Sequence, residues 1–173
     1  MLLEIIENNI IDDIINTSPI FVMVIGGSAS GKNYIYEKFF SKIDLIDNDK
    51  ITLKLAGGDL SKTTNYISQA IKIANKELEE HFKDKISVGI TSTGASTKGA
   101  LNRLEKAKSF GFKTAIILVD TDVKTALKRN KDRAKSGSQK LVPDEKVIKS
   151  NKKARETYKQ ASKITDFSLV IDN

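Results

Sequence analysis

Phe21-Val22-Met23-Val24-Ile25 leads directly into Gly26-Gly27-Ser28-Ala29-Ser30-Gly31-Lys32-Asn33, and the rest of the sequence is best interpreted outward from this stretch. An apolar, largely β-branched run stops at a glycine pair, and four residues separate Gly26 from Gly31-Lys32. This is the spacing of a phosphate-binding loop, G-x-x-x-x-G-K-[ST], between a strand and a helix. Only the last position departs from the pattern, because Asn33 stands where serine or threonine is expected.

The residue types in this loop suit a polyphosphate. Glycines let the backbone wrap the phosphates with its N–H groups pointing inward, and the N-terminus of the following helix adds partial positive charge. Lys32 can reach the β- and γ-phosphates, and the amide oxygen of Asn33 replaces the hydroxyl that usually ligates Mg²⁺. A glycine-rich turn without a ligand is the alternative, and the amphipathic helix that follows argues against it. We therefore expect ATP and Mg²⁺ as cofactors, with ATP bound by Gly26, Gly27, Ser28, Ala29, Ser30, Gly31, Lys32 and Asn33.

Length and composition limit the remaining possibilities. The chain has 173 residues, 39% of them hydrophobic and 29% charged, which suits one soluble domain over residues 1–173. Cysteine is absent and His81 is the only histidine, which excludes disulfides, thiolate nucleophiles, cysteine zinc sites and histidine triads. A net charge of +7 favours polyanionic partners, although solvated lysine-rich helix faces give the same count.

Residues 1–18 are predicted to form a helical addition to this domain. Their apolar residues recur at near-helical spacing up to Asn16, and Thr17-Ser18-Pro19 ends the pattern. Acidic residues interrupt the segment, and it has no basic lead or small-residue cleavage site. We therefore expect neither a signal peptide nor a membrane-spanning helix, and a cytoplasmic location. Packing on the sheet and a dimer contact both remain open for this helix.

Strands alternate with helices along the rest of the chain, which predicts an α/β fold with a mostly parallel sheet and right-handed crossovers. Strands are expected at 20–25, 43–46, 86–90, 115–119 and 167–171. Helices are expected at 32–41, 61–82, 98–109, 122–134 and 143–163. Ligands of such sheets bind beyond the carboxyl ends of the strands, so polar residues that follow a strand are the first candidates for the site.

Two such groups follow strands two and three. Asp49 can accept the proton of a hydroxyl that attacks a γ-phosphate, and it can also ligate Mg²⁺. Asp47 is placed with it as a substrate contact, because alternation along an extended chain gives the two carboxylates a similar facing. An Asx turn is the alternative explanation of Asp47-Asn48-Asp49. Of the hydroxyls at Thr91-Ser92-Thr93, we assign Thr93 to the substrate, with ordinary helix capping as the alternative.

A lid is predicted over residues 129–142. Arg129 and Arg133 lie four residues apart on one helix face and precede a Gly/Ser/Lys loop. Guanidinium groups on a closing lid can bind the charge that develops on a transferred phosphoryl group. We therefore assign both to catalysis, Arg129 also to ATP and Lys140 of the loop to the substrate; surface ion pairing is the alternative for the arginines.

The order of these motifs resembles the kinase domain of phage-type polynucleotide kinases and the zeta-toxin kinases over about residues 20 to 165. The segment "IDNDK" is similar to the zeta-toxin segment that carries the catalytic aspartate, which falls on Asp49. The segment "LKRNKDR…KLVP" resembles the polynucleotide-kinase lid, whose arginines fall on Arg129 and Arg133. The resemblance implies a P-loop kinase-like three-layer sandwich with strand order 2-3-1-4-5.

Differences from both families leave the acceptor open. Thr91 and Ala95 replace a zeta-toxin glutamate and arginine, whereas Thr52 and Ser92 replace an arginine and an acidic residue of polynucleotide kinases. We therefore expect an ATP-dependent kinase for a hydroxyl of a nucleic acid, a modified base in DNA, a nucleotide or a nucleoside-like molecule. A sugar-nucleotide kinase and a non-catalytic nucleotide-binding module are the alternatives. The oligomeric state does not follow from the sequence.

Overall fold

A computed structural model describes residues 18–137 and 139–173. Its strands are β1 (Ile20–Ile25), β2 (Asp44–Ile46), β3 (Val88–Ser92), β4 (Lys113–Asp120) and β5 (Phe167–Asp172). Its α-helices are α1 (Lys32–Phe39), α2 (Asn48–Leu55), α3 (Ile67–Asp84), α4 (Thr97–Ser109), α5 (Val123–Lys135) and α6 (Asp144–Ala161). The predicted N-terminal helix lies outside the described residues.

The five strands form one parallel sheet in the order β2-β3-β1-β4-β5, which confirms the predicted fold class and strand order. Every residue of β1 is buried, as expected of a central strand covered on both faces. Phe21, Met23 and Ile25 pack on one face, in a cluster with residues of α3, α4 and α6. Val22 and Val24 pack on the other face with α1. None of the described helices is long and apolar enough to cross a membrane.

The structure differs from the sequence prediction between β2 and α3. Helix α2 was not predicted, and residues 60–66 form a 3₁₀ helix rather than the first turns of the long helix expected at 61–82. Asp59 Oδ1 accepts a hydrogen bond from Ser61 N at 2.9 Å, and Thr63 Oγ1 donates one to Leu60 O at 2.8 Å. These side chains occupy backbone groups that a regular α-helix would pair with each other, which disfavours an α-helix before Ile67.

Strand β3 lies two residues later than predicted, at Val88–Ser92 instead of 86–90. Lys85 adopts a left-handed conformation, with φ 58°, after the end of α3, and Ile86 is exposed. The pairing of Ile25 with Ser92 extends the strand to the start of the phosphate-binding loop. This shift places the hydroxyls of residues 91–93 at the carboxyl edge of the sheet, next to that loop.

Candidate phosphotransfer site

The loop between β1 and α1 has the geometry of a phosphate-binding loop. Gly31 has φ 93° and is the N-cap of α1, which has no side-chain capping hydrogen bond. The first N–H groups of α1 are thus left for an external anion. Thr121 Oγ1 and Asn173 Nδ2 fix the loop from behind by donating to Ser30 O at 3.1 and 2.7 Å. The N–H groups of Gly26, Ser28 and Ser30 are bonded to Ser92 O, Ser150 Oγ and Gly27 O. A polyphosphate would therefore use the other N–H groups of the loop and those of the first turn of α1.

Helix α6 supports the other side of the loop. Ser28 N donates to Ser150 Oγ at 2.9 Å, and Ser150 Oγ itself donates to Val147 O at 2.9 Å. A Cβ atom added at Gly27 would lie 2.3 Å from Cγ of the buried Asn151, so only glycine fits there. The sequence analysis missed both α6 residues. A serine and an asparagine in a helix carry no local sign that they contact a loop more than 100 positions away.

Lys32 is the first residue of α1, and its side chain lies folded into the loop. Its Nζ donates to Gly27 O at 2.9 Å. Burial lowers the pKa of Lys32 to about 8, with Arg133 adding to the decrease and with Asp49 and Asp47 opposing it. A partly desolvated ammonium between these carboxylates and the loop carbonyl is well placed to exchange that carbonyl for phosphate oxygens.

Asn33 binds a protein carboxylate. Its Nδ2 donates to Asp47 Oδ2 at 2.9 Å. Asp47 is buried and is also the N-cap of α2, because its Oδ1 accepts from Asp49 N at 2.9 Å and Lys50 N at 3.3 Å. Three hydrogen bonds thus occupy both oxygens of this carboxylate. Asp47 links the N-termini of α1 and α2.

Asp49 is in a different position from Asp47. An extended chain would give Asp47 and Asp49 a similar facing, and that expectation is wrong. Asp47 is the N-cap of α2, and Asp49 is the second residue of that helix. The Asp49 side chain is exposed and has no hydrogen-bond partner among the described residues. Its pKa is raised by local desolvation and then by the charge of Asp47, whereas Lys32 acts to lower it. The structure therefore brings together Lys32 and a free carboxylate whose basicity is increased.

The structure also bears on Mg²⁺. No group of three or more His, Cys, Asp or Glu side chains within residues 18–137 and 139–173 could hold a metal ion. Mg²⁺ commonly takes one or two carboxylates and completes its shell with water and substrate phosphates. Asn33 and Asp49 supply an amide and a carboxylate oxygen, which are ligand types that Mg²⁺ takes, and both residues are hydrogen-bonded to Asp47, Asn33 by its side chain and Asp49 by its backbone N–H.

The two predicted lid arginines approach the loop from α5. Arg129 Nη1 lies 3.8 Å from the position of a Cβ atom at Gly31, and Arg133 is close enough to lower the pKa of Lys32. Between them, the buried Asn130 closes the base of the loop that follows: its Nδ2 donates to Val142 O at 2.7 Å and its Oδ1 accepts from Val142 N at 3.1 Å. The sequence gives no sign of this clamp, which ties α5 to Val142.

A cavity of about 210 Å³ lies beside the loop, between α3, α4 and the carboxyl ends of β1 and β3. Thr93 lines it, as do Asn48, Asn75, Ser96 and Arg103, which the sequence analysis missed. Lys140 lies exposed before α6 and is not among the lining residues. A larger cleft of about 590 Å³ lies between α4 and α6. No residue of the phosphate-binding loop lines either cavity, but only the smaller one includes Asn48 and Ser92, which adjoin the site.

A parallel sheet in this order, with a glycine loop and lysine between its central strand and the next helix, defines a P-loop kinase-like fold. Residues 21–162 match the family model AAA_33, an AAA domain, and the chain belongs to this family. Among curated proteins, none matches the sequence.

Solved structures share the fold at low sequence identity. A chain of the Pnkp1/Rnl/Hen1 RNA repair complex is 19% identical with a TM-score of 0.63, over 83% of this chain and 46% of that one. A chain of the PezAT toxin-antitoxin system of Streptococcus pneumoniae is 16% identical with a TM-score of 0.63, over 91% and 69%. Deoxyadenosine kinase from M. mycoides with bound dATP is 19% identical with a TM-score of 0.54, over 88% and 90%.

These matches confirm the resemblance to polynucleotide kinases and zeta toxins. The protein spans less than half of the RNA repair chain that it matches, so the similarity extends to the kinase-like fold and not to the activity of that whole protein.

Proposed function

We propose that the protein is an ATP-dependent phosphotransferase that phosphorylates a hydroxyl group of a nucleic acid, a nucleotide or a nucleoside-like acceptor. One observation carries the proposal: Lys32 and Asp49 lie close enough to shift each other's pKa at the mouth of an uncapped phosphate-binding loop. A carboxylate of raised basicity beside the phosphate-binding lysine is the group that a phosphotransferase needs to accept the proton of the acceptor hydroxyl.

The residues divide the reaction between them. Backbone N–H groups of the loop and of the first turn of α1 hold the β- and γ-phosphates, and Lys32 exchanges Gly27 O for a phosphate oxygen. The oxygen of the acceptor hydroxyl bonds to the γ-phosphorus, and the bond from the γ-phosphorus to ADP breaks. Asp49 accepts the proton that the hydroxyl loses. Mg²⁺, when bound near Asn33 and Asp49, neutralises phosphate charge.

Arg129 and Arg133 serve the same step from the lid. Charge on a transferring phosphoryl group spreads over its three equatorial oxygens, and guanidinium forks bind such oxygens well. Arg129 Nη1 lies 3.8 Å from the position of a Cβ atom at Gly31, and the charge of Arg133 lowers the pKa of Lys32. Both arginines are therefore near the loop and the lysine that would hold the γ-phosphate. Asn130 ties α5, the helix that carries both arginines, to Val142 by two hydrogen bonds, which fixes this helix relative to the start of α6.

ATP consumption in the presence and absence of acceptors tests this function. Labelled ATP is incubated with oligonucleotides, mononucleotides, nucleosides and sugar nucleotides, and transfer of label is followed. Consumption that rises only with an acceptor supports the phosphotransferase. Nucleotide binding without turnover for every acceptor would instead identify a nucleotide-binding module, and transfer to sugar nucleotides alone would identify a sugar-nucleotide kinase.

A further inference from the structure

Arg103 of α4 is a half-buried cation without an anionic partner in the described part of the chain. Burial is the sole cause that lowers its pKa, with no carboxylate near enough to oppose the decrease. Its Nη2 donates to Asn75 Oδ1 at 3.3 Å, a neutral acceptor at long range. Removing a guanidinium from water is costly unless an anion compensates, so the arrangement favours an anion from outside the protein.

Both Arg103 and Asn75 line the cavity of about 210 Å³ beside the phosphate-binding loop. Ile46, Leu78 and Ile90 give this cavity an apolar wall. Asn48 also lines it, and its Oδ1 is buried without a hydrogen-bond partner among the described residues. Because this oxygen has almost no accessible surface, a ligand donor could reach it only after the Asn48 side chain turned.

The cavity is connected to the reacting groups. Asn48 immediately precedes Asp49 at the start of α2. On the other side, Ser92 lines the cavity while its carbonyl accepts the N–H of Gly26 at 3.2 Å. Through Asn48 and Ser92 the cavity thus adjoins the segment that carries Asp49 and the start of the phosphate-binding loop.

We propose that this cavity binds the acceptor, and that Arg103 with Asn75 selects an acceptor that carries a compact oxyanion. This inference rests on the proposed function. Its volume is below the roughly 300–1,000 Å³ of pockets for drug-sized ligands, so it accommodates one sugar- or nucleoside-sized unit, free or at the end of a strand. Phosphate and carboxylate both match the fork of a guanidinium.

Calorimetric titration tests the inference without any turnover. The protein is first saturated with a non-hydrolysable ATP analogue, so that phosphate probes cannot occupy the loop. The probes are nucleoside 3′- and 5′-monophosphates, hexose phosphates and uronic acids, each with its neutral parent compound. We expect oxyanion probes to bind at least about tenfold more tightly than their neutral parents, because a charge-assisted hydrogen bond is gained.

Variants assign that preference to one side chain. Arg103→Gln should weaken the oxyanion probes by about ten- to a hundredfold and leave the neutral parents unchanged. Arg103→Lys keeps the charge but not the fork and should fall in between. Lys106→Gln is the matched control, because it removes a charge from the same helix at a residue whose ammonium pairs with Glu79 at 2.8 Å, and it should change nothing. Thermal unfolding of each variant checks that it is folded.

Several outcomes would overturn the inference: equal affinity for oxyanions and neutral parents, no effect of Arg103→Gln or Arg103→Lys, or no binding of any probe. Tighter binding of phosphates than of uronic acids identifies phosphate as the source of the anion. Repeating the titrations in Lys32→Ala, without analogue, separates the two sites if the analogue fails to bind.

Arg103-dependent binding without phosphoryl transfer would refute the proposed function alone. Transfer to neutral acceptors with an unchanged KM in Arg103→Gln would refute this inference alone.

Discussion

Replacing Asp47 and Asp49 separately should affect two different properties of the protein. Asp47→Ala removes the N-cap of α2, which costs about 0.5–2 kcal/mol. It also leaves Nδ2 of Asn33 without its acceptor at 2.9 Å, which costs about 1–3 kcal/mol. Together these losses should lower the free energy of unfolding by about 1.5–5 kcal/mol. For a chain of this size, that corresponds to a decrease in Tm of about 3–20 °C.

Asp47→Asn is the matched variant. Its side-chain oxygen can still cap α2, and the amide of Asn33 can turn to present its own oxygen, so stability should fall much less than in Asp47→Ala. Urea unfolding followed by circular dichroism gives both values.

Asp49→Asn should show the opposite behaviour. The side chain is exposed and has no hydrogen-bond partner in the described chain, so stability should stay within about 0.5 kcal/mol of the parent. Any change should be towards higher stability at neutral pH, because the carboxylate that repels Asp47 is gone. Phosphoryl transfer should fall by a factor on the order of 10²–10⁴, while ATP binding is retained. Unchanged turnover in Asp49→Asn, with Asp47→Asn inactive but fully stable, would refute this assignment and move the base to Asp47.

Four further substitutions test other parts of the site. Arg129→Ala and Arg133→Ala should each lower kcat by about a hundredfold or more with a much smaller loss of ATP affinity, and unchanged kcat would make these arginines ordinary surface residues. Gly27→Ala should destabilise the protein by about 1–3 kcal/mol in urea unfolding, because the new methyl group clashes with Asn151. The double variant Gly27→Ala/Asn151→Ala should recover part of that loss, and no loss in the single variant would contradict the contact. In Asn33→Ser the serine side chain is too short to reach Asp47, so the free energy of unfolding should fall by about 1 kcal/mol. Calorimetry should show Mg·ATP bound at least as tightly as in the parent, and a large loss of binding would show a separate role for Asn33.

The fold could be predicted from the sequence because its signals are local. The apolar run at 21–25, the glycine spacing at 26–31 and the alternation of strands with helices each depend on neighbouring residues. Helix α2 was missed because its start is fixed by Asp47, whose role as a cap is indistinguishable in sequence from an Asx turn after a strand. The extended-chain assumption that followed gave Asp47 and Asp49 the same facing, whereas the helix separates them into one buried and one exposed carboxylate.

The acceptor side of the site could not be predicted for a different reason. Asn75 and Arg103 lie on α3 and α4, where single polar residues in charged helices look like any solvated face. Only the packing of these helices over the end of β3 makes them line the cavity that Thr93 also lines. Ser150 and Asn151 meet the phosphate-binding loop in the same way, through contacts between distant parts of the chain.

The departure at Asn33 is best understood together with Asp47. In the usual pattern a short hydroxyl at this position is directed towards the metal, whereas here the longer amide reaches the N-cap of a second helix. The N-termini of α1 and α2 are thereby joined, and the partial positive charges of both helix ends lie at the carboxyl edge of the sheet. Lys32 is the first residue of one helix and Asp49 the second residue of the other, so a single Asn33–Asp47 hydrogen bond fixes the proposed phosphate-binding cation relative to the proposed base. The same bond keeps Asp47 from serving as a free carboxylate, which leaves Asp49 to act on the acceptor.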